Sequence, residues 1–244
     1  MYYLTWSEGF RPGLLNRPAG RTSPDGSYSV PPSIDSDEVT NYEFGWKAVA
    51  MDGALRFNGS VYMVDVSGLQ STIFDPSIVN LFFSDNAADA EIKGVEGDFM
   101  YFTGSGLILS GAFSLLDTEI TKSLVPTGDV VVGSDLAFAP GFQANFTARK
   151  EWGTSQGNTG HWQAQVNHSR ASDSDIMEPN RAQQDMYTLA NIRAGVSNDS
   201  WTAEMYIDNI TDERAELSNT FVFDRQRIAV IRPLNLGFRY KVKF

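Results

Sequence analysis

His161 and His168 are the only two histidines, and the chain has no cysteine. Cysteine nucleophiles, disulfide frameworks and thiolate metal sites are therefore excluded. At strand spacing the two imidazoles lie about 20 Å apart, too far to share a metal ion. Neither histidine is expected beside a carboxylate on a neighbouring strand, as an acid-assisted hydrolytic centre would require. Asp173, Asp175, Glu178 and Asp185 crowd one loop, but they lack the spacing and turn glycine of a calcium loop, so a solvated loop is expected. Arg11, Arg17, Arg21 and Tyr28 share an early polar segment. Guanidinium pairs well with carboxylate oxygens, so this segment is a candidate for contacting an anionic ligand, against a plainer reading as hydrated surface.

The elements that position these groups announce themselves in the last eleven residues. Leu234, Leu236, Phe238, Tyr240, Val242 and Phe244 alternate with Asn235, Gly237, Arg239, Lys241 and Lys243. A period of two makes a strand with one apolar and one polar face. Three cations on one face and a terminal aromatic suit a strand whose apolar face meets lipid and whose charged face meets a lumen.

The same alternation recurs upstream. Tyr42, Phe44, Trp46 and Ala48 oppose Asn41, Glu43, Gly45 and Lys47, and Asp52-Gly53 then signals a hairpin. Further strands are expected over about 1–9, 55–63, 91–102, 107–115, 142–149, 162–167, 188–196 and 201–208, giving about ten in all. Long polar connections (about 10–38, 68–88, 121–140, 169–185 and 211–226) alternate strictly with short turns. A sandwich has no reason to gather every long loop at one end, whereas an outer-membrane barrel does. The expected fold is all-β: an antiparallel transmembrane β-barrel portion of meandering strands with long external loops and short periplasmic turns.

On that reading Glu43, Lys47, Arg56, Glu96, Asp98, Arg193, Glu204, Asp208, Arg239, Lys241 and Lys243 fall on the lumen side. Together they suit a polar lumen that holds a filling and passes solute, against a plainer reading in which each compensates a neighbour's charge across strands. Trp46, Trp152, Trp162 and Trp201 lie near strand ends on the apolar side, as an interfacial girdle would. A net charge of −11 argues against a nucleic-acid binder. No window approaches the roughly 18–20 apolar residues of a membrane helix, which leaves strands as the way across. Met1 to Trp6 lacks the basic and apolar regions of a signal peptide and reads as mid-strand, so the start looks cut.

Several stretches resemble, in order, the carboxy-terminal barrel of TonB-dependent outer-membrane receptors. They are Tyr3-Leu4-Thr5-Trp6-Ser7-Glu8-Gly9-Phe10-Arg11-Pro12-Gly13, Asn41-Tyr42-Glu43-Phe44-Gly45-Trp46-Lys47, and Asn86-Ala87-Ala88-Asp89-Ala90-Glu91-Ile92-Lys93-Gly94-Val95-Glu96. Ala190-Asn191-Ile192-Arg193-Ala194-Gly195, Tyr206-Ile207-Asp208-Asn209-Ile210-Thr211-Asp212-Glu213 and the terminal Phe244 complete the series. The resemblance implies an energy-coupled importer of a scarce nutrient, most simply a ferric siderophore or similar iron complex. It implies TonB as a partner through an absent amino-terminal region, with the plug and the first half of the barrel also absent. Residues 1–244 would then be the carboxy-terminal part of the barrel, set in outer-membrane lipid, with Tyr240, Val242 and Phe244 as the signal to the barrel-assembly machinery. It implies no catalysis and no cofactor. The competing expectations are a self-contained ten-stranded outer-membrane protease, which would explain the strand count, and a soluble β-sandwich.

Overall fold

The computed structural model describes residues 1–73, 75–125, 130–173, 183–222 and 225–243, with only the backbone of 221 and 222. Among the described residues fourteen strands follow one another: β1 (Tyr2–Arg11), β2 (Asp37–Ala50), β3 (Leu55–Ile73), β4 (Phe83–Phe102), β5 (Leu107–Ser123), β6 (Phe142–Gly153), β7 (Thr159–Ser169), β8 (Ser172–Asp173), β9 (Gln183–Gln184), β10 (Tyr187–Ser197), β11 (Trp201–Asp208), β12 (Glu216–Val222), β13 (Arg225–Val230) and β14 (Asn235–Val242). Ten of them form one antiparallel sheet in the order β1-β2-β3-β4-β5-β6-β7-β10-β11-β14. The expected ten-stranded meander is this sheet. Among the described residues its two outer strands, β1 and β14, each have a single partner, so the sheet is open there.

The short turns carry the backbone conformations that tight hairpins need. Asp52 and Gly53 both have positive φ, 53° and 91°, at the β2–β3 turn. At the β4–β5 turn Gly106 has φ 81°, and a Cβ there would sit 2.5 Å from the Glu151 carbonyl, so only glycine fits.

Register sorts the side chains. Leu4↔Phe44, Phe44↔Val61, Val61↔Val95 and Val95↔Leu115 run straight across five strands, and Phe146↔Val166 and Met205↔Phe238 lie on the same face of later strands. All of these but the half-buried Val95 are exposed, Leu4 by 83% and Phe238 by 66%. A continuous exposed apolar face belongs against lipid. On β3 it runs from Leu55 to Met63, about 27 Å along the strand and roughly 21 Å once tilted by about 40°, near the height of a barrel's lipid-facing band. Trp46, Trp152, Trp162 and Trp201 all lie on this face.

Beyond Met63 the two faces exchange polarity. On the lipid side Asp65 stands opposite Glu91, Glu91 opposite Glu119 and Lys93 opposite Asp117, with Lys93 paired to Glu91. On the other side Val64 faces Ile92 and Val66 faces Ala90. This exchange is why β3 and β4 run further than the alternation suggests. A strand whose pattern changes phase looks finished, so the expected loop over 68–88 shrinks to 74–82. Bulges between Val66 and Gln70 add to the disguise. The last connection likewise holds a hairpin, β12–β13, where only loop was expected.

Among the described residues a buried cluster lies at this long-loop end: Tyr28, Val30, Val66, Ile73, Phe83, Ala87, Ala88, Ala90, Ile120, Val125 and Val130. The connection 12–36 folds down onto the ends of β3, β4 and β5 as a ribbon, closed by the bridges Leu15↔Ser33 and Thr22↔Ser29.

Candidate functional site

An unbroken chain of register pairs puts Glu43, Lys47, Arg56, Glu96, Asp98, Arg193, Glu204, Asp208, Arg239 and Lys241 on the face opposite the apolar band. Lys243 follows the end of β14. Two polar arrangements dominate this face.

The first spans β1 to β6, around a trough of about 720 Å³ lined by Tyr3, Lys47, Ser60, Glu96, Asp98 and Asn145 among others. Tyr3 donates to Glu43 at 2.5 Å, Ser60 to Glu96 at 3.3 Å, and the Asn58 amide to both Asp98 oxygens at 3.1 and 3.2 Å. The Tyr3 ring can lie flat because it covers Gly45, and Tyr62 covers Gly94 in the same way.

The second arrangement lies beyond the neighbouring strands to which the sequence expectation was confined: a histidine meets a carboxylate two strands away. His161 Nε2 lies 3.2 Å from Glu204 Oε2, and both residues are buried. They sit on β7 and β11, with β10 between them. The ring reaches across because the intervening residue is Gly195, where a Cβ would lie 2.9 Å from His161 Cε1. Glu204 also meets Arg239 at 3.6 Å, Glu151 stands opposite His161 on β6, and Arg149 pairs with Glu151 at 2.6 Å. A two-strand reach over glycine is invisible to nearest-neighbour patterning, although the Gly195-to-His161 alignment would have hinted at it. Arg193 and Asp208 approach to 3.9 Å. His168 points to the apolar side, bonded to Thr188 at 2.9 Å and set against Phe142. Among the described residues no group of three or more metal-ligating side chains is placed to hold an ion. Asp173 lies in β8, Asp175 and Glu178 lie outside the described residues, and Asp185 follows β9.

The four ligand-loop candidates separate. Arg11 ends β1, where its guanidinium grips Asp37 at 2.5 and 3.0 Å and the Gln70 carbonyl at 3.0 Å. Tyr28 is buried, packs its ring at a tilt against Phe83 and donates to Asp85 at 2.5 Å. Arg17 and Arg21 are exposed, and their guanidinium groups have no partner among the described residues. Tyr240 and Val242 lie on the apolar face opposite Ala203 and Trp201, and Phe244 lies outside the described residues.

The ribbon's turn should respond to pH at both ends of the scale. Hydrogen bonds from the Ser23 hydroxyl, then from the Ser27 amide and hydroxyl, hold the Asp25 carboxyl down to about 2. Burial, reinforced by the bond to Asp85, pushes the Tyr28 phenol above its ordinary 10.0. Asp25's contribution is thus complete above the ordinary carboxylate pKa of 3.8 and lost as pH falls toward 2. Tyr28's is complete below 10.0 and lost as pH climbs above it. Amide exchange at Ser27 and Tyr28 should accelerate at both extremes, and Asp25→Asn should abolish the acid limb alone. An acid limb that persists in that variant would put its origin elsewhere.

An open antiparallel sheet with one exposed apolar face, one charged face and all long loops at one end is an arc of a transmembrane β-barrel. A family model described as "TonB dependent receptor-like, beta-barrel" matches residues 1–210, and the chain belongs to that family, whose members are bacterial outer-membrane proteins. No curated protein matches the sequence. Among solved structures the chain is similar to the ferric yersiniabactin uptake receptor FyuA from Yersinia pestis, at 16% identity and TM-score 0.79, covering 100% of this chain and 35% of that one. It is similar to the ferric preacinetobactin receptor BauA from Acinetobacter baumannii at 20% identity and TM-score 0.67, covering 98% and 33%. It is also similar to the copper transporter OprC at 13% identity and TM-score 0.71, covering 100% and 38%. The chain thus spans about a third of the length of these structures, and at such identities the likeness is one of fold.

Proposed function

We propose that residues 1–244 are the carboxy-terminal barrel wall and external loops of a receptor that imports a ferric siderophore or similar iron complex, energised through TonB. The observation that carries this reading is the open sheet itself. Ten strands that align with siderophore receptors yet leave the outer edges of β1 and β14 without a partner among the described residues call for further strands, and the charged face calls for a filling. A plug and the remaining strands, supplied by chain outside these residues, meet both needs. The open edges also count against a closed ten-stranded protease. The apolar face takes outer-membrane lipid, and Tyr240, Val242 and Phe244 serve recognition by the barrel-assembly machinery.

Deletion of the gene should abolish growth of an iron-starved strain on one class of ferric chelate while leaving growth on ferrous iron unchanged. Loss of TonB should reproduce the defect. A deletion strain that uses every ferric chelate normally but accumulates less copper would move the assignment to copper import.

A further inference from the structure

The ribbon 12–36 is fastened at points that sequence periodicity does not reveal. The buried Gln70 donates from one amide nitrogen to the carbonyls of Arg11, Pro12 and Asp35, at 3.3, 3.1 and 3.0 Å. Asn86 accepts from the Asp35 amide at 2.8 Å and donates to the Asp35 and Gly68 carbonyls at 3.1 and 2.6 Å. Asn16 and Ser84 exchange two bonds, 2.9 and 2.8 Å, between side chain and backbone. The Arg11–Asp37 pair closes the base, with the Asp37 side chain almost wholly buried. Tyr28, Val30 and Ile34 are buried on the underside. The other side is bare: Leu15 is 86% exposed, and Arg17 and Arg21 flank a turn closed by the Arg21 amide on the Pro18 carbonyl at 3.3 Å.

A loop that closes over a ligand must be cheap to move, with few buried contacts and weak anchors. This one has a packed underside and side chains that satisfy its backbone at both ends. We infer that ribbon 12–36 is a pre-set wall over the ends of β3, β4 and β5, in which Gln70, Asn86 and Asp37 are positioning residues that hold Arg17 and Arg21 ready for an anionic ligand. Two guanidinium groups without carboxylate partners, on a fixed surface of a chain with net charge −11, suit carboxylate or catecholate oxygens. The second half of this inference rests on the import reading; the first does not.

Hydrogen exchange on the full-length protein in detergent micelles, without ligand, tests the wall. Amides of Gly20, Val30 and Ile34 should exchange as slowly as those in the upper parts of β3 and β4. Gln70→Ala and Asn86→Ala should each speed the ribbon at least tenfold while β5 to β7 stay protected and the barrel keeps its heat-modifiable mobility. Fast ribbon exchange in the unaltered protein, or a ribbon indifferent to both substitutions, overturns the positioning role. Should both variants fail to fold, the ligand-free exchange of the unaltered protein still decides whether the wall is pre-set. For the ligand half, iron(III)–citrate and an iron(III) tris-catecholate serve as probes. Arg17→Ala with Arg21→Ala should weaken whichever chelate binds by roughly tenfold or more, at unchanged ribbon exchange. Unchanged affinity overturns the arginine assignment. Binding of neither chelate overturns the anion class and the import reading together, while the exchange result stands.

Discussion

Residues 1–244 refolded alone into phospholipid vesicles should yield no protease-resistant, heat-modifiable monomer. β1 bonds only to β2 and β14 only to β11, so the outer edges of strands of 10 and 8 residues present unpaired amides and carbonyls. Each such group left in hydrocarbon costs several kcal/mol, so two edges together cost on the order of tens. Larger species, in which edges of separate copies pair, are the expected products, and addition of the amino-terminal strands should rescue the monomer. A monomer with all ten strands protected from exchange would show that β1 and β14 close upon one another, and would restore the self-contained barrel.

Gly195→Val should deplete the folded protein from the outer membrane. A side chain at this position meets the Ala203 carbonyl and comes within 3.0 Å of Glu204 Cα, both backbone atoms that cannot swing aside. It also occupies the space through which His161 reaches Glu204. Overpacking costs about 1–3 kcal/mol. Separating a buried carboxylate from its hydrogen-bonding partner adds about 1–3 kcal/mol more. The urea midpoint of the refolded full-length barrel should fall accordingly. His161→Ala isolates the second share, and in the double variant the two losses should sum to less than their separate values, because Gly195→Val has already removed what His161 contributes. Strict additivity would mean that the imidazole does not depend on the glycine gap.

The meander was readable because lipid on one side and polar surroundings on the other impose a strict period of two, as in Tyr42 to Lys47 and Leu234 to Lys243. The ends of β3 and β4 were not readable, since Val64, Val66 and Ala90 turn inward just where Asp65 and Glu91 turn outward. Arg11 and Tyr28 illustrate a further limit. Composition marks them as loop chemistry, yet each is tied to a carboxylate far along the chain, Asp37 and Asp85. His161 and Glu204 lie 43 positions apart in sequence and two strands apart in space. Their meeting depends on what Gly195 lacks, which no residue's own character announces.

The exchange of polarity past Met63 works as a waterline. Sinking the wall by one pleat repeat, about 7 Å, would carry Asp65, Glu91 and Glu119 into hydrocarbon, and raising it would lift Leu55 and Tyr101 out of it. Either displacement is unfavourable, so the depth at which this wall rides is set by residues within single strands rather than by its loops. The ribbon above, resting on those same strands, is thereby held at a fixed height over the bilayer.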